Sequence, residues 1–251
     1  MCGRYVLTQT DAKSLLAQLG VRLEAPGHAL PSSRYNLPPG GPILAVRTCT
    51  TTPDSPAPAR ELAWLHWGLT PTWAGADARP LTNARAETLG EKPSFRRAFQ
   101  SRRCLVPASG FYEWQLTGRL RQPWLFRLRD EQPFAFAALW ETYRTPEGQP
   151  LEACVLITTA ANALMQPVHH RMPAILADAS AWTAWLDPRI TSTDSLAPLL
   201  RPLPAEALSA TPVSARVNQV RHDDPACLEP ATPGCDGDPA ADGTAQLSLG
   251  F

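Results

Sequence analysis

Lysine is nearly missing from this chain: Lys13 and Lys92 are the two lysines among 23 basic side chains, so its positive charge is carried by arginine. No two of the six cysteines (2, 49, 104, 154, 227 and 235) form a C-x-x-C pair. That spacing removes the usual zinc-ligand pattern, and neither a metal nor another cofactor is expected. Apolar runs of roughly 18 residues or more, the length that crosses a bilayer as a helix, do not occur. Nothing at the start has the layout of a secretory signal. The chain is therefore read as cytoplasmic, with reduced thiols and no membrane partner.

What is present fits a folded domain of moderate size: 251 residues, 44% of them apolar. The formal net charge is zero, but the charges are unevenly spread. Residues 222–251 carry six acids and no Lys or Arg, leaving 23 basic against 17 acidic side chains, net +6, over residues 1–221. The planar, bidentate guanidinium suits phosphate. Codon bias alone would also enrich Arg, Ala and the 27 prolines, so composition leaves both readings open.

Short β-like runs bounded by Pro, Gly or charge occur at 43–47, 61–67, 104–106, 111–115, 124–128, 134–138 and 153–158. Helical spacing is read at 11–19, 160–165, 180–186 and 195–200. Strands clustered in the middle, with helices around them, predict an α+β domain over 1–221. From 222 onward Pro, Gly, Asp and Ala dominate, which predicts a disordered tail over 222–251.

Cys2 directly follows the initiator in Met1-Cys2-Gly3-Arg4-Tyr5. Removal of Met1 would leave one residue bearing both an α-amine and a thiol, with reference pKa values of about 7.7–8.0 and about 8.5. An amine condenses with an aldehyde to an imine, and the thiol can close that imine into a five-membered thiazolidine. The plain alternative is an ordinary small residue. Four further islands hold candidate partners: Asn83-Ala84-Arg85-Ala86-Glu87-Thr88, residues 102–114, Thr158-Thr159-Ala160-Ala161-Asn162, and His169-His170-Arg171-Met172-Pro173. Glu113 lies between Tyr112 and Trp114, where desolvation would raise its pKa and suit it to general acid work. A solvent-facing acid on an alternating strand is the other reading. His169 and His170 place titratable rings beside a cation, although single histidines are more often structural.

Taken in order, Met1-Cys2-Gly3-Arg4-Tyr5, Arg34-Tyr35-Asn36, Trp67-Gly68-Leu69, Asn83-Ala84-Arg85, Pro107-Ala108-Ser109-Gly110-Phe111-Tyr112-Glu113-Trp114 and His169-His170-Arg171-Met172-Pro173 closely resemble the SRAP family. These are the SOS-response-associated peptidases, better described as abasic-site-processing proteins. The resemblance covers roughly residues 2–221. It implies a single domain with a barrel-like, mostly antiparallel β core, flanking helices and a positive cleft for single-stranded DNA. It further implies a monomer that is nucleoid-associated when bound to DNA. Cys2 would form a thiazolidine crosslink with the ring-opened abasic-site aldehyde, with weak lyase activity. Asn83 would position the N-terminal residue and the sugar, Glu113 would move protons, and His169 would act as acid and base at the sugar. Arg4, Arg85, Arg96, Thr158 and Arg171 would contact the DNA, and Trp73 or Trp114 would pack on a base.

Three positions depart from the family pattern. Ser109 stands where many relatives have Asp, and Pro93 where some have a basic residue, leaving Arg96 or Arg97 to substitute. The last thirty residues have no counterpart in the family domain. They end in Gln246-Leu247-Ser248-Leu249-Gly250-Phe251, similar to peptides that dock on bacterial sliding clamps. Gln246, Leu247, Leu249 and Phe251 would be the anchors there. Two other function classes stand beside the crosslinking one. A thiol peptidase would use Cys2 with His169, and a non-catalytic DNA-binding module would explain the arginines but not Asn83, Glu113 and His169.

Overall fold

Two central strands are too apolar for a sheet with one wet face: residues 134–139 and 153–159 are buried without interruption. Such runs need cover on both sides, and the fold supplies it by closing a barrel and packing further elements outside. The computed structural model describes residues 2–21, 30, 32–49, 59–70, 78–145 and 148–231. Trp73 and the clamp-like peptide with Gln246, Leu247, Leu249 and Phe251 lie outside the described residues.

The strands are β1 (Tyr5–Leu7), β2 (Arg34–Leu37), β3 (Pro42–Thr48), β4 (Arg60–Trp67), β5 (Asn83–Arg85), β6 (Arg103–Ala108), β7 (Gly110–Thr117), β8 (Leu120–Leu128), β9 (Phe134–Arg144), β10 (Pro150–Ala160), β11 (Arg171–Pro173), β12 (Ile175–Leu176) and β13 (Leu208–Pro212). The helices are α1 (Gln9–Gln18), α2 (Pro93–Ser101), α3 (Ala179–Leu186) and α4 (Thr193–Leu196). Pairings run β10–β4–β3–β6–β9, and β9 pairs back onto β10, which closes a five-stranded barrel. Every pairing in that ring is antiparallel except β4 with β10. A second antiparallel sheet, ordered β13-β8-β7-β1-β2, lies beside it. The expected α+β class with a barrel-like, mostly antiparallel core is what forms.

Arg103 shows how the helices are fastened. Its side chain is buried on β6 and donates to the carbonyls of Phe99, Gln100, Trp185 and Asp187, so one cation ties α2 and α3 to the barrel. Four carbonyl acceptors offset the cost of taking that charge out of water. Ser109 links β6 to β7, and its Oγ accepts from the Thr8 N–H at 2.9 Å, which fixes the N-cap of α1. Gly110 is required by close approach. A Cβ there would stand 2.9 Å from both the Phe126 carbonyl oxygen and the Arg127 side chain. The glycine lets β7 lie flush on β8 just before Glu113.

Three sequence expectations need correction. The helix read at 160–165 does not form: β10 runs on to Ala160, and turns follow. Asn162 spends its Oδ1 on the Met165 N–H and its Nδ2 on the Leu203 carbonyl, and Pro167 removes a donor, so the segment turns instead of propagating. Pro93 is the first residue of α2, an unexpected helix; proline there costs no intrahelical hydrogen bond. Finally, ordered packing continues past 221. The Asp223 carboxylate accepts from the Tyr35 and Asn36 amides and pairs with Arg34, Cys227 is fully buried, and Val213 bridges Pro230. The polar composition of 222–231 hid these specific acceptors.

Candidate active site

Four sequence-distant residues approach one another because three pairings converge on the amino terminus. Cys2 leads into β1, and the ladder continues outward from it, with the Tyr112 N–H donating to the Arg4 carbonyl at 3.0 Å. That register brings β7, and with it Glu113, alongside the first residues of the chain. On the other flank β5 runs parallel to β10 and starts at Asn83, whose Nδ2 donates to the Cys2 carbonyl at 3.0 Å. The Asn83 Oδ1 is buried and has no hydrogen-bond partner among the described residues. The third flank is the turn before β11, which carries His169. Gln115 holds it, donating from Nε2 to the Pro167 carbonyl at 3.1 Å and accepting from Trp124 Nε1 at 3.2 Å.

The electrostatics follow from burial. The Cys2 thiol is fully buried, and its pKa is pushed well up, first by desolvation and then by the Glu113 charge. Burial also raises Glu113. For His169, desolvation above all pushes the pKa down to about 4. Desolvation is the largest influence on all three side chains, and the Glu113 charge acts on the Cys2 thiol.

His169 Nδ1 lies 2.9 Å from the Arg171 amide nitrogen and 3.1 Å from the Arg171 carbonyl oxygen, so it accepts from the amide in one tautomer and donates to the carbonyl in the other. The His170 ring stacks on it at 4.4 Å. Since the folded value is depressed, the stabilisation by the neutral ring is complete above the unfolded value of about 6.5 and is lost as pH falls towards 4. In long-range proton–nitrogen NMR spectra, His169 is expected to remain neutral at about pH 5.5. Titration near the ordinary histidine value would overturn that assignment.

The arginines divide by what already holds them. Arg4 donates to Asn36 Oδ1 at 2.7 Å and the Val217 carbonyl at 3.0 Å, and it lies 5.6 Å from the Trp114 ring. Trp114 in turn donates to Asn218 Oδ1 at 2.7 Å. Asn36, fully buried, also donates to the carbonyls of Val217, Gln219 and His222. This network fastens the segment 215–222 beside the site. Arg171 forms a bidentate pair with Glu87 at 2.7 and 2.9 Å and donates to the Thr158 carbonyl at 2.6 Å. Thr158 itself is fully buried, behind Arg171. Arg85 on β5 and Arg96 on α2 are exposed. Asn36 and Glu87 were visible only as members of motif islands, and Gln115 gave no sequence signal.

A cavity of about 350 Å³, lined by Arg47, Cys49, Glu61, Arg103 and Trp140 among others, opens at the opposite mouth of the barrel, where β3 ends and β4 and β6 begin. It is far in the topology from Asn83 and the end of β10. Among the described residues no group of three or more His, Cys, Asp or Glu side chains is placed to hold a metal, and no helix is long and apolar enough to cross a membrane.

The family model described as SOS response associated peptidase (SRAP) matches residues 1–220. The abasic site processing protein YoqW of Bacillus subtilis is 39% identical, over 91% of this chain and 99% of its own. The abasic site processing protein HMCES of Gallus gallus is 32% identical, over 86% of this chain and 72% of its own. A crystal structure of a protein from Bacteroides thetaiotaomicron superposes with a TM-score of 0.76 at 25% identity, covering 92% of this chain and all of that one. With the family model spanning most of the chain and YoqW aligned almost end to end, the chain belongs to the SRAP family.

Proposed function

We propose that this protein processes abasic sites in single-stranded DNA by forming a covalent thiazolidine with the exposed sugar aldehyde through Cys2, after removal of Met1. The observation that carries the reading is the setting of Cys2: a fully buried thiol, its carbonyl held by Asn83, beside a buried carboxyl. A thiol whose pKa is raised is a poor first nucleophile. The α-amine is the better one, and the thiol is placed for the second step.

The amine nitrogen attacks the aldehyde carbon of the ring-opened deoxyribose, giving a carbinolamine. Glu113, with its raised pKa, supplies the proton with which the hydroxyl leaves as water, and an imine remains. Cys2 Sγ then attacks the same carbon as its proton passes to nitrogen. Ring closure yields a five-membered thiazolidine, with one water released overall and no redox change. Asn83 Oδ1, buried and without a partner among the described residues, is suited to accept from the amine or from a sugar hydroxyl. His169, held neutral by burial, is suited to exchange a proton with a sugar oxygen.

The alternative, a thiol peptidase using Cys2 and His169, needs a thiolate and an imidazole nitrogen able to accept its proton. The raised thiol pKa weighs against it. The two separate in one experiment: incubation with single-stranded DNA bearing one abasic site, followed by a denaturing gel, alongside a casein digestion. A band that survives denaturation supports the crosslink. Its survival in a variant with an extra residue retained ahead of Cys2 would sink the α-amine mechanism.

The peptide with Gln246, Leu247, Leu249 and Phe251 extends the proposal to a second partner, a bacterial sliding clamp. Binding of a peptide of residues 242–251 to the clamp, lost on Phe251→Ala, is the expected result; equal binding by both peptides would remove the assignment.

A further inference from the structure

Glu87 fills the position that a DNA phosphate would be expected to take. It lies in the helical turn Ala86–Thr88, directly after β5, with its side chain half exposed. Its two oxygens occupy the outer fork of Arg171 at 2.7 and 2.9 Å. The rear of the same guanidinium is fixed to the barrel by the Thr158 carbonyl at 2.6 Å and, more weakly, by Thr158 Oγ1 at 3.4 Å. Arg171 Nη1 and Nη2 thus face Glu87, while its Nε–H is buried and has no hydrogen-bond partner among the described residues. Arg85, two residues before Glu87 and exposed, adds a second positive charge that acts on the carboxylate, after the stronger influence of Arg171 itself.

A planar carboxylate seated bidentately on an arginine is the protein's nearest equivalent of a phosphate oxygen pair. The Glu87 end of the pair is half exposed, so a competing anion can reach Arg171 from solvent and exchange with the carboxylate. The guanidinium, by contrast, is nailed in place and would not follow. We propose that Glu87 is a resident counter-ion for the DNA-backbone site formed by Arg85 and Arg171, which a phosphate of single-stranded DNA must displace. The carboxylate thereby sets the affinity for DNA lacking a lesion, so that contacts at the abasic site itself decide which strands are retained. The inference rests on the DNA-binding reading above. It departs from that reading in sign, since removing a hydrogen-bonding partner of a site arginine is expected to strengthen binding.

The test uses the full chain with Glu87→Gln and Arg171→Ala variants and a fluorescent, undamaged oligothymidylate of about 12 nucleotides, titrated across salt. Glu87→Gln is expected to bind about threefold to tenfold more tightly at low salt. Its plot of log affinity against log salt should steepen by about 0.7, the increment for one further phosphate neutralised on a single strand. Unchanged or weaker binding by Glu87→Gln overturns the proposal and makes the pair a fixed structural clamp. A second measurement avoids DNA: inorganic tripolyphosphate should raise the melting temperature of Glu87→Gln more than that of the parent. Equal shifts count against it. If the parent protein binds no oligonucleotide and Arg171→Ala changes nothing, the DNA reading itself fails and this inference falls with it. If the parent binds and Arg171→Ala weakens it, only the response of Glu87→Gln decides.

Discussion

Cys2→Ala is expected to lose the denaturation-resistant DNA adduct altogether. The variant still ends in an α-amine once Met1 is removed, so its imine can form, but nothing closes it, and hydrolysis returns the aldehyde. Cys2→Ser should behave in nearly the same way, because a hydroxyl is a far weaker nucleophile towards an imine than a thiol. Adding borohydride should restore a covalent band in both variants, since it reduces the imine that the amine has already made. That rescue separates the two nucleophiles of one residue. A stable adduct from Cys2→Ala without reductant would mean that the thiol is dispensable. No adduct from either variant even with borohydride would mean that the amine is not the group that attacks. Melting curves guard against a trivial loss, because the Cys2 side chain is fully buried and touches the core.

Much of the barrel was legible because its strands are short, apolar and punctuated by Pro, Gly and charge, and all seven runs read from the sequence fall inside β3, β4 and β6 to β10. Glu113 is buried, as one of its two sequence readings had it, but Tyr112 and Trp114 flank it on β7 and project to the opposite face, so the cover comes from elsewhere. Residues whose meaning lies in a distant partner were not legible. Arg4 and Arg171 read as surface cations awaiting phosphate, yet Asn36 and Val217 lie 32 and 213 residues from the first, and Glu87 lies 84 from the second. Helix α2 was missed because Pro93 was weighed as a lost basic group and not as a helix start. The segment 160–165 was misread because Ala, Leu and Met at helical spacing outweighed one asparagine that bonds its own turn. Local pattern finds elements; partners found by folding assign their work.

Glu113→Gln is the second large effect, and it should move rate and stability in opposite directions. Loss of a positioned proton donor typically costs about 10²–10⁴-fold in rate. Crosslinking by the variant is therefore expected to slow by that order in a time course with abasic single-stranded DNA. The final adduct should remain chemically the same, since Cys2 is intact. Stability should shift the other way. Burial raises the folded pKa of Glu113, so the stabilisation from the protonated carboxyl is fully present below the unfolded value of about 4.3 and is lost as pH rises towards the folded one. Glutamine keeps the shape and never ionises. The melting temperature of Glu113→Gln should match the parent at about pH 4 and exceed it near neutrality. A variant that melts lower than the parent near neutrality would show that pairing of the carboxylate outweighs its desolvation. A variant that crosslinks at the parent rate would remove Glu113 from the chemistry. Slower reaction together with higher stability is what a buried acid retained for proton transfer requires.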